Sequence, residues 1–238
     1  MTQVAESAAN DRARARSKLA YLLGRAAADK FPPADGSVEI LAQPSKRDAG
    51  VIALTAFAVV FADTNPGWIA AQLPADDLSA PLSASFLCAL SQCLGREAGS
   101  IDMLTCAAPL PGAPSRELTL AEIDPTEPHA RIARALRYRD DVRAWQTAGG
   151  VIVLGRGVAG RWETAIEVDP QSRSAGLGRQ LATAARHLVP EGEPVWAQIA
   201  PGNAASVRAF LRAGFLPIGA EVLLTPARGT AATRPGQR

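Results

Sequence analysis

The 238-residue chain predicts an α/β protein built on a mixed sheet. Three observations lead there. Apolar residues make up 47% and charged residues 20%, enough to bury a core of ordinary size. The C-terminal half reads as three strands, a helix, a strand, a helix and a last strand. A glycine-bearing segment joins the third of those strands directly to the helix that follows. Lys and Arg number 25 against 23 Asp and Glu, a net charge of +2, which argues against nucleic acid or an anionic membrane as the principal partner. No window approaches the roughly 18 apolar residues of a membrane span.

Taken in order, Thr2 to Lys30 is rich in Ala and Arg and reads as a helix with Leu19, Leu22 and Leu23 on one face, giving an N-terminal helical extension over 1–30. Residues 31–110 form an N-terminal α/β region. There Val38 to Leu41, Val51 to Phe61, Trp68 to Leu73 and Ile101 to Ala107 read as strands, and Leu82 to Leu94 as a helix ended by Gly95. The proline-dense stretch holding Pro109, Pro111, Pro114, Pro125 and Pro128 cannot continue a helix or a central strand, so 111–128 is expected to be a linker.

Beyond it, 129–225 reads as one domain. Ala130 to Tyr138 is a helix. Val142 to Gln146, Val151 to Leu154 and Trp162 to Val168 form an antiparallel meander. Leu177, Leu181, Ala184, Ala185 and Leu188 mark a helix stopped by Pro190. Val195 to Ala200 is a strand, Val207, Phe210 and Leu211 lie on one side of the next helix, and Ile218 to Leu224 is the last strand. The tail, 226–238, has little to bury and is expected to be disordered.

Cys88, Cys93 and Cys106 are odd in number, lack CxxC spacing and follow no apolar leader, so a reducing cytoplasm is expected. His129 and His187 are not paired with cysteines at ligand spacing, and no metal is expected. Gly155, Gly157 and Gly160 spell G-x-G-x-x-G, but Arg161 to Ile166 reads as strand where a dinucleotide fingerprint needs a helix, so these glycines are assigned to a hairpin turn.

The segment Arg173, Ser174, Ala175, Gly176, Leu177, Gly178 follows the strand break at Asp169-Pro170 and leads into a helix. Backbone N–H groups at a helix start are orphan donors with partial positive charge, so they can hold a pyrophosphate. Arg173, Arg179 and Arg186 add charge nearby. A glycine-bent turn with solvated arginines explains the same residues.

Together with Asn203-Ala204-Ala205-Ser206-Val207-Arg208-Ala209-Phe210 and Gly214-Phe215, this order resembles the GNAT superfamily of acyl-CoA-dependent N-acyltransferases over about residues 130 to 224. The resemblance implies a GNAT-like fold, with 31–110 as an extension or a degenerate half-domain. It implies acetyl-CoA as acyl donor and the primary amine of a small molecule or peptide as acceptor. The main chain of Ile166, Glu167 and Val168 would meet the thioester and pantetheine. Arg173, Ser174, Ala175, Gly176, Leu177, Gly178 and Arg179 would hold the pyrophosphate, with Asn203, Ser206 and Phe210 along the pantetheine arm. Asn203 is equally well explained as a helix N-cap.

The chain departs from the pattern at Phe210, where many relatives have a Tyr that protonates the thiolate, and at Gln198, where some have a Glu base. Ser174 stands where Gly is usual, and Ser172 where an aromatic is common. A base could then come from Glu167, Glu163 or Glu221, unless these are ordinary solvent-facing charges. Asp76-Asp77 and Asp140-Asp141 are candidates for the cationic acceptor, though turns and solvation explain them too. A homodimer is admitted. The alternative function is a non-catalytic acyl-CoA sensor or interaction module.

Overall fold

Apolar periodicity and local stop signals in this chain produce a mixed α/β fold, described by a computed structural model over residues 2–75 and 77–226. The predicted disordered tail beyond Pro226 and the acceptor candidate Asp76 lie outside the described residues. The elements are α1 (Thr2–Ala27), β1 (Val38–Leu41), β2 (Ala49–Leu54), β3 (Phe57–Phe61), α2 (Pro66–Ala71), α3 (Ala84–Leu94), β4 (Arg96–Ala98), β5 (Asp102–Ala107), β6 (Ala121–Ile123), α4 (Ala130–Tyr138), β7 (Asp140–Thr147), β8 (Gly150–Arg156), β9 (Trp162–Val168), α5 (Leu177–Leu188), β10 (Val195–Ile199), α6 (Ala204–Arg212) and β11 (Leu216–Pro226). Two compact units result. The first takes residues up to Ala15, Pro33–Ile101 and the chain from Glu221; the second takes Arg16–Pro32 and Asp102–Ala220. Among the described residues no helix is long and apolar enough to cross a membrane.

In the first unit, β3 lies between β1, which it pairs in parallel, and β2, which it pairs antiparallel. Ala49, Val51, Val60, Ile69, Phe86, Leu90, Val222 and Leu224 form its core. Two readings of the sequence are corrected here. Val51 to Phe61 is a hairpin, not one strand: Leu54 faces Phe57 across the turn at Thr55-Ala56, and Ala56 has φ +48°. Trp68 to Leu73 is not a strand. Asn65 accepts hydrogen bonds from the N–H groups of Gly67 and Trp68 at 2.8 and 3.3 Å, and Pro66 follows at the first helical position, so this short apolar run becomes α2.

In the second unit, β6, β7, β8 and β9 form an antiparallel meander, β10 joins β9 in parallel, and β5 closes on β10 antiparallel. The proline-dense stretch therefore contains a short paired strand, β6, that its composition concealed. β8 is buried on both faces and carries no polar alternation. Its Ile152 and Leu154 pack in the same cluster as Leu181, Ala184 and Ala185 of α5. Its Val151 and Val153 pack with Ile132 and Ala135 of α4. Helices α4 and α5 thus cover opposite faces of the meander. β9 inherits that division: Trp162, Ile166 and Val168 join the α5 side, while Glu167 reaches Arg131 of α4 and Glu163 reaches Arg139 just past its end.

Candidate functional site

The site begins where β9 and β10 part. These parallel strands pair only at Trp162 with Val195 and at Glu163 with Trp196. Thr164–Val168 continues along β8, and Ala197–Ile199 continues along β5, but the edges they would turn to each other are not joined. Backbone donors and acceptors along such a wedge need partners. An extended ligand carrying amide groups can supply them as an added strand would.

The mouth of the wedge leads to the start of α5. Pro170–Ser172 makes one short 3₁₀ turn after the strand break, and Ser174 and Gly176 then take φ values of +65° and +85°. The left-handed conformation of Ser174 supplies a physical reason for glycine at this place in relatives. Gly176 is the N-cap of α5, with no side-chain cap. Arg173 to Gly176 and Arg179 are exposed. A Cβ at Gly176 would meet nothing within 4 Å, leaving open space in front of the helix. At Gly178 a Cβ would be 3.5 Å from Ala209 and 3.7 Å from Val168, so this glycine lies where α5 approaches α6 and the end of β9. The geometry fits an anion held by backbone N–H groups. Arg173 donates through Nε to the Val168 carbonyl at 3.4 Å.

Other predicted site residues have observed contacts of their own. Asn203 accepts from the Ser206 N–H at 3.1 Å and caps α6. Phe210 is buried, and its ring meets Phe215 edge-on at 4.9 Å in the core. Leu211 is 40% exposed, not on the buried side with Val207 and Phe210. Arg186 is engaged elsewhere, donating to the Ala108 and Ala213 carbonyls at 2.9 and 2.7 Å. Cys106 is buried, which pushes its thiol up to about 12 and leaves it unsuited to act as a nucleophile.

The three carboxylates differ sharply. Glu163 is enclosed, and its oxygens accept from Arg161 Nε at 2.9 Å, Arg139 Nε at 3.1 Å and the Val158 N–H at 3.3 Å. Burial alone would raise its pKa; Arg161 and Arg139 outweigh that and hold it below the usual carboxylate value. A carboxylate so committed is a poor proton acceptor. Glu221 is buried in the first unit. Glu167, with 40% of its side chain exposed, pairs with Arg131 of α4 at 3.2 Å.

The remaining acidic candidates serve turns or ion pairs. Asp77 accepts from the backbone and hydroxyl of Ser79, and Asp141 lies 3.6 Å from Arg156. Among the described residues, no group of three His, Cys, Asp or Glu side chains could hold a metal ion. The residues missed from the sequence are Arg139 and Arg161. Their signal was an Arg-x-Glu at the entry to a strand, beside closely spaced glycines.

Residues 163–223 match the model of the family described as FR47-like protein. No curated protein matches the chain. Among solved structures, a GCN5-related N-acetyltransferase from Kribbella flavida is similar at 19% identity and a TM-score of 0.38, covering 61% of this chain and 65% of that one. A tandem GNAT protein from the clavulanic acid biosynthesis pathway, solved without AcCoA, is similar at 17% identity and a TM-score of 0.36, covering 74% of this chain and 63% of that one. The chain thus spans less than two thirds of the length of either. The family match takes in β9, α5, β10, α6 and most of β11, within the stretch over which the sequence resembles the GNAT superfamily.

Proposed function

We propose that the chain is an acyl-CoA-dependent N-acyltransferase that moves the acetyl group of acetyl-CoA to a primary amine of a small molecule or peptide. The observation that carries this reading is the wedge between β9 and β10 opening onto an uncapped, exposed helix start. The N–H groups of Ser174 to Gly178 would hold the pyrophosphate, with Arg173 and Arg179 adding charge. The free edge of Ile166–Val168 would take the amides of the pantetheine arm. Asn203 Oδ1 already serves the cap, so its side-chain N–H group is what remains for a ligand. Acetyl-CoA supplies an activated acyl group whose thiolate leaves readily.

The protein's own contribution is positioning. Holding an amine against a thioester can lower a barrier by several kcal/mol without a placed acid or base. Gln198 and the buried Phe210 provide neither. Glu167 is the carboxylate at this site that solvent reaches, and it would attract the cationic acceptor on the face that carries α4. The three free thiols suit a reducing cytoplasm.

Calorimetry with CoA and thiol release over a panel of amines test the reading. The wild-type chain is expected to bind CoA, and Gly176→Trp, which fills the space before α5 at a φ of +85°, to weaken binding at least about tenfold. Equal affinity in the two proteins would remove the pyrophosphate assignment. Tight CoA binding with no amine releasing thiol would replace the enzyme with a sensor.

A further inference from the structure

We infer that Glu163, clamped between Arg139 and Arg161, is a positioning group that fixes where β9 and β10 part, and that Gly155, Gly157 and Gly160 make room for the charged side chains around that point. The inference rests on the acyl-CoA reading only in naming what the wedge receives. Two residue pairs are a slender join for parallel strands that then separate, and Glu163 belongs to one of them. Its carboxylate gathers several neighbours at that point. Val158 and Arg161 come from the turn between β8 and β9, and Arg139 from the residue that ends α4. Gln198 of β10 lies near enough to favour its ionised form, while its buried amide nitrogen makes no hydrogen bond. The Arg161 guanidinium lies 5.3 Å from the ring centre of Trp196, tying the cluster to β10 a second time.

The glycine spacing that resembles a dinucleotide fingerprint has its physical cause here. A Cβ at Gly157 would fall on the Glu163 carboxylate. A Cβ at Gly155 would stand 2.9 Å from the Cβ of Arg139 and 3.1 Å from the Asp140 carbonyl. A Cβ at Gly160 would stand 2.7 Å from a guanidinium nitrogen of Arg16. Each glycine thus borders a charged side chain or the backbone beside it, and the first two border the clamp itself. The clamp holds the closed end of the wedge, so the free edges beyond it keep one spacing and one direction for the extended arm of the ligand.

Amide hydrogen exchange and CoA calorimetry on the full chain test this, comparing wild type, Glu163→Gln, Gly157→Ala and the control Ile132→Ala. Ile132 is buried in the α4 cluster and takes no part in the clamp. Gly157→Ala keeps every charge and crowds the carboxylate, so it decides the matter if Glu163→Gln does not fold. The amides of Glu163, Trp196 and Ala197 are expected to exchange about tenfold faster in both clamp variants, beyond any change shared by the rest of the unit, and the control is expected to lack that local excess. CoA affinity is expected to fall about tenfold in the clamp variants and to be kept in the control. Apex amides that change no more than the rest of the unit would overturn the inference. If wild type binds no CoA, the acyl-CoA reading falls, while the exchange comparison still decides the clamp.

Discussion

At position 210 a single oxygen separates two chemistries. Many members of the superfamily it resembles carry a Tyr there, and the sequence invites the thought that restoring the hydroxyl would speed thiolate departure. Packing argues otherwise. Phe210 is only 4% exposed and lies against Phe215 in the core shared by α5, α6 and the sheet. A hydroxyl added to that ring would be buried among apolar groups, at a cost of about 1–3 kcal/mol. Phe210→Tyr is therefore expected to lower the melting temperature by roughly 2–4 °C per kcal/mol lost, with CoA affinity and turnover unchanged. A faster enzyme with an unchanged melt would show instead that the ring reaches the wedge. Glu163 teaches the same lesson. Its residue type suited a base, but two arginines distant in sequence or facing along the strand make it a fixed anion.

Among the elements, α6 poses the sharpest question because Asn203 has one observed role and one proposed role. The cap is present, through Ser206 N–H to Oδ1 at 3.1 Å. Asp caps as well as Asn but lacks the side-chain N–H donor. Asn203→Ala is expected to cost about 1 kcal/mol and Asn203→Asp almost nothing, measured by thermal melts, while both weaken CoA in calorimetry. An Asp variant that binds CoA as wild type does would leave Asn203 a cap alone. Elements with a long period and a clear end were legible: α4, β9 and α5 fall where Tyr138, Val168 and Pro190 place their limits. The uncapped, glycine-bearing start of α5 was legible for the same reason, since it depends on local backbone at one helix terminus. The β2–β3 turn was hidden because Thr55-Ala56 lacks the residues that usually signal a positive φ. Strands β4 and β6, each three residues long and largely exposed, carry too little pattern to be seen. The clamp was illegible because α4 and β9 bring its parts together only after folding.

Considered as a whole, the chain does not distribute its strands as the proline-dense stretch suggests. Strand β5 precedes that stretch in sequence, yet it belongs to the second unit and pairs with β10 from Val195 against Ala107 to Ile199 against Met103. The Thr105 hydroxyl donates to the Ala197 carbonyl at 2.9 Å, and Leu104 is fully buried. The join continues where Leu110 N–H donates to the Arg186 carbonyl at 2.8 Å, beside the Arg186 contact to Ala108. A fragment of residues 129–225 would leave β10 with its two-residue attachment to β9 and an open apolar edge exposing Trp196, Ala197 and Ile199. Burial of one leucine contributes about 1.5–3 kcal/mol, a large part of the 5–15 kcal/mol that holds a typical domain together. That fragment is expected to aggregate or to melt without a cooperative transition. A full chain nicked by a protease at an engineered site beside Gly112, which is exposed, is expected to behave differently. Its two pieces should stay associated through gel filtration and melt together, because β5 on one piece still pairs with β10 on the other. A fragment of 129–225 that melts cooperatively within a few degrees of the full chain would show that β5 is dispensable.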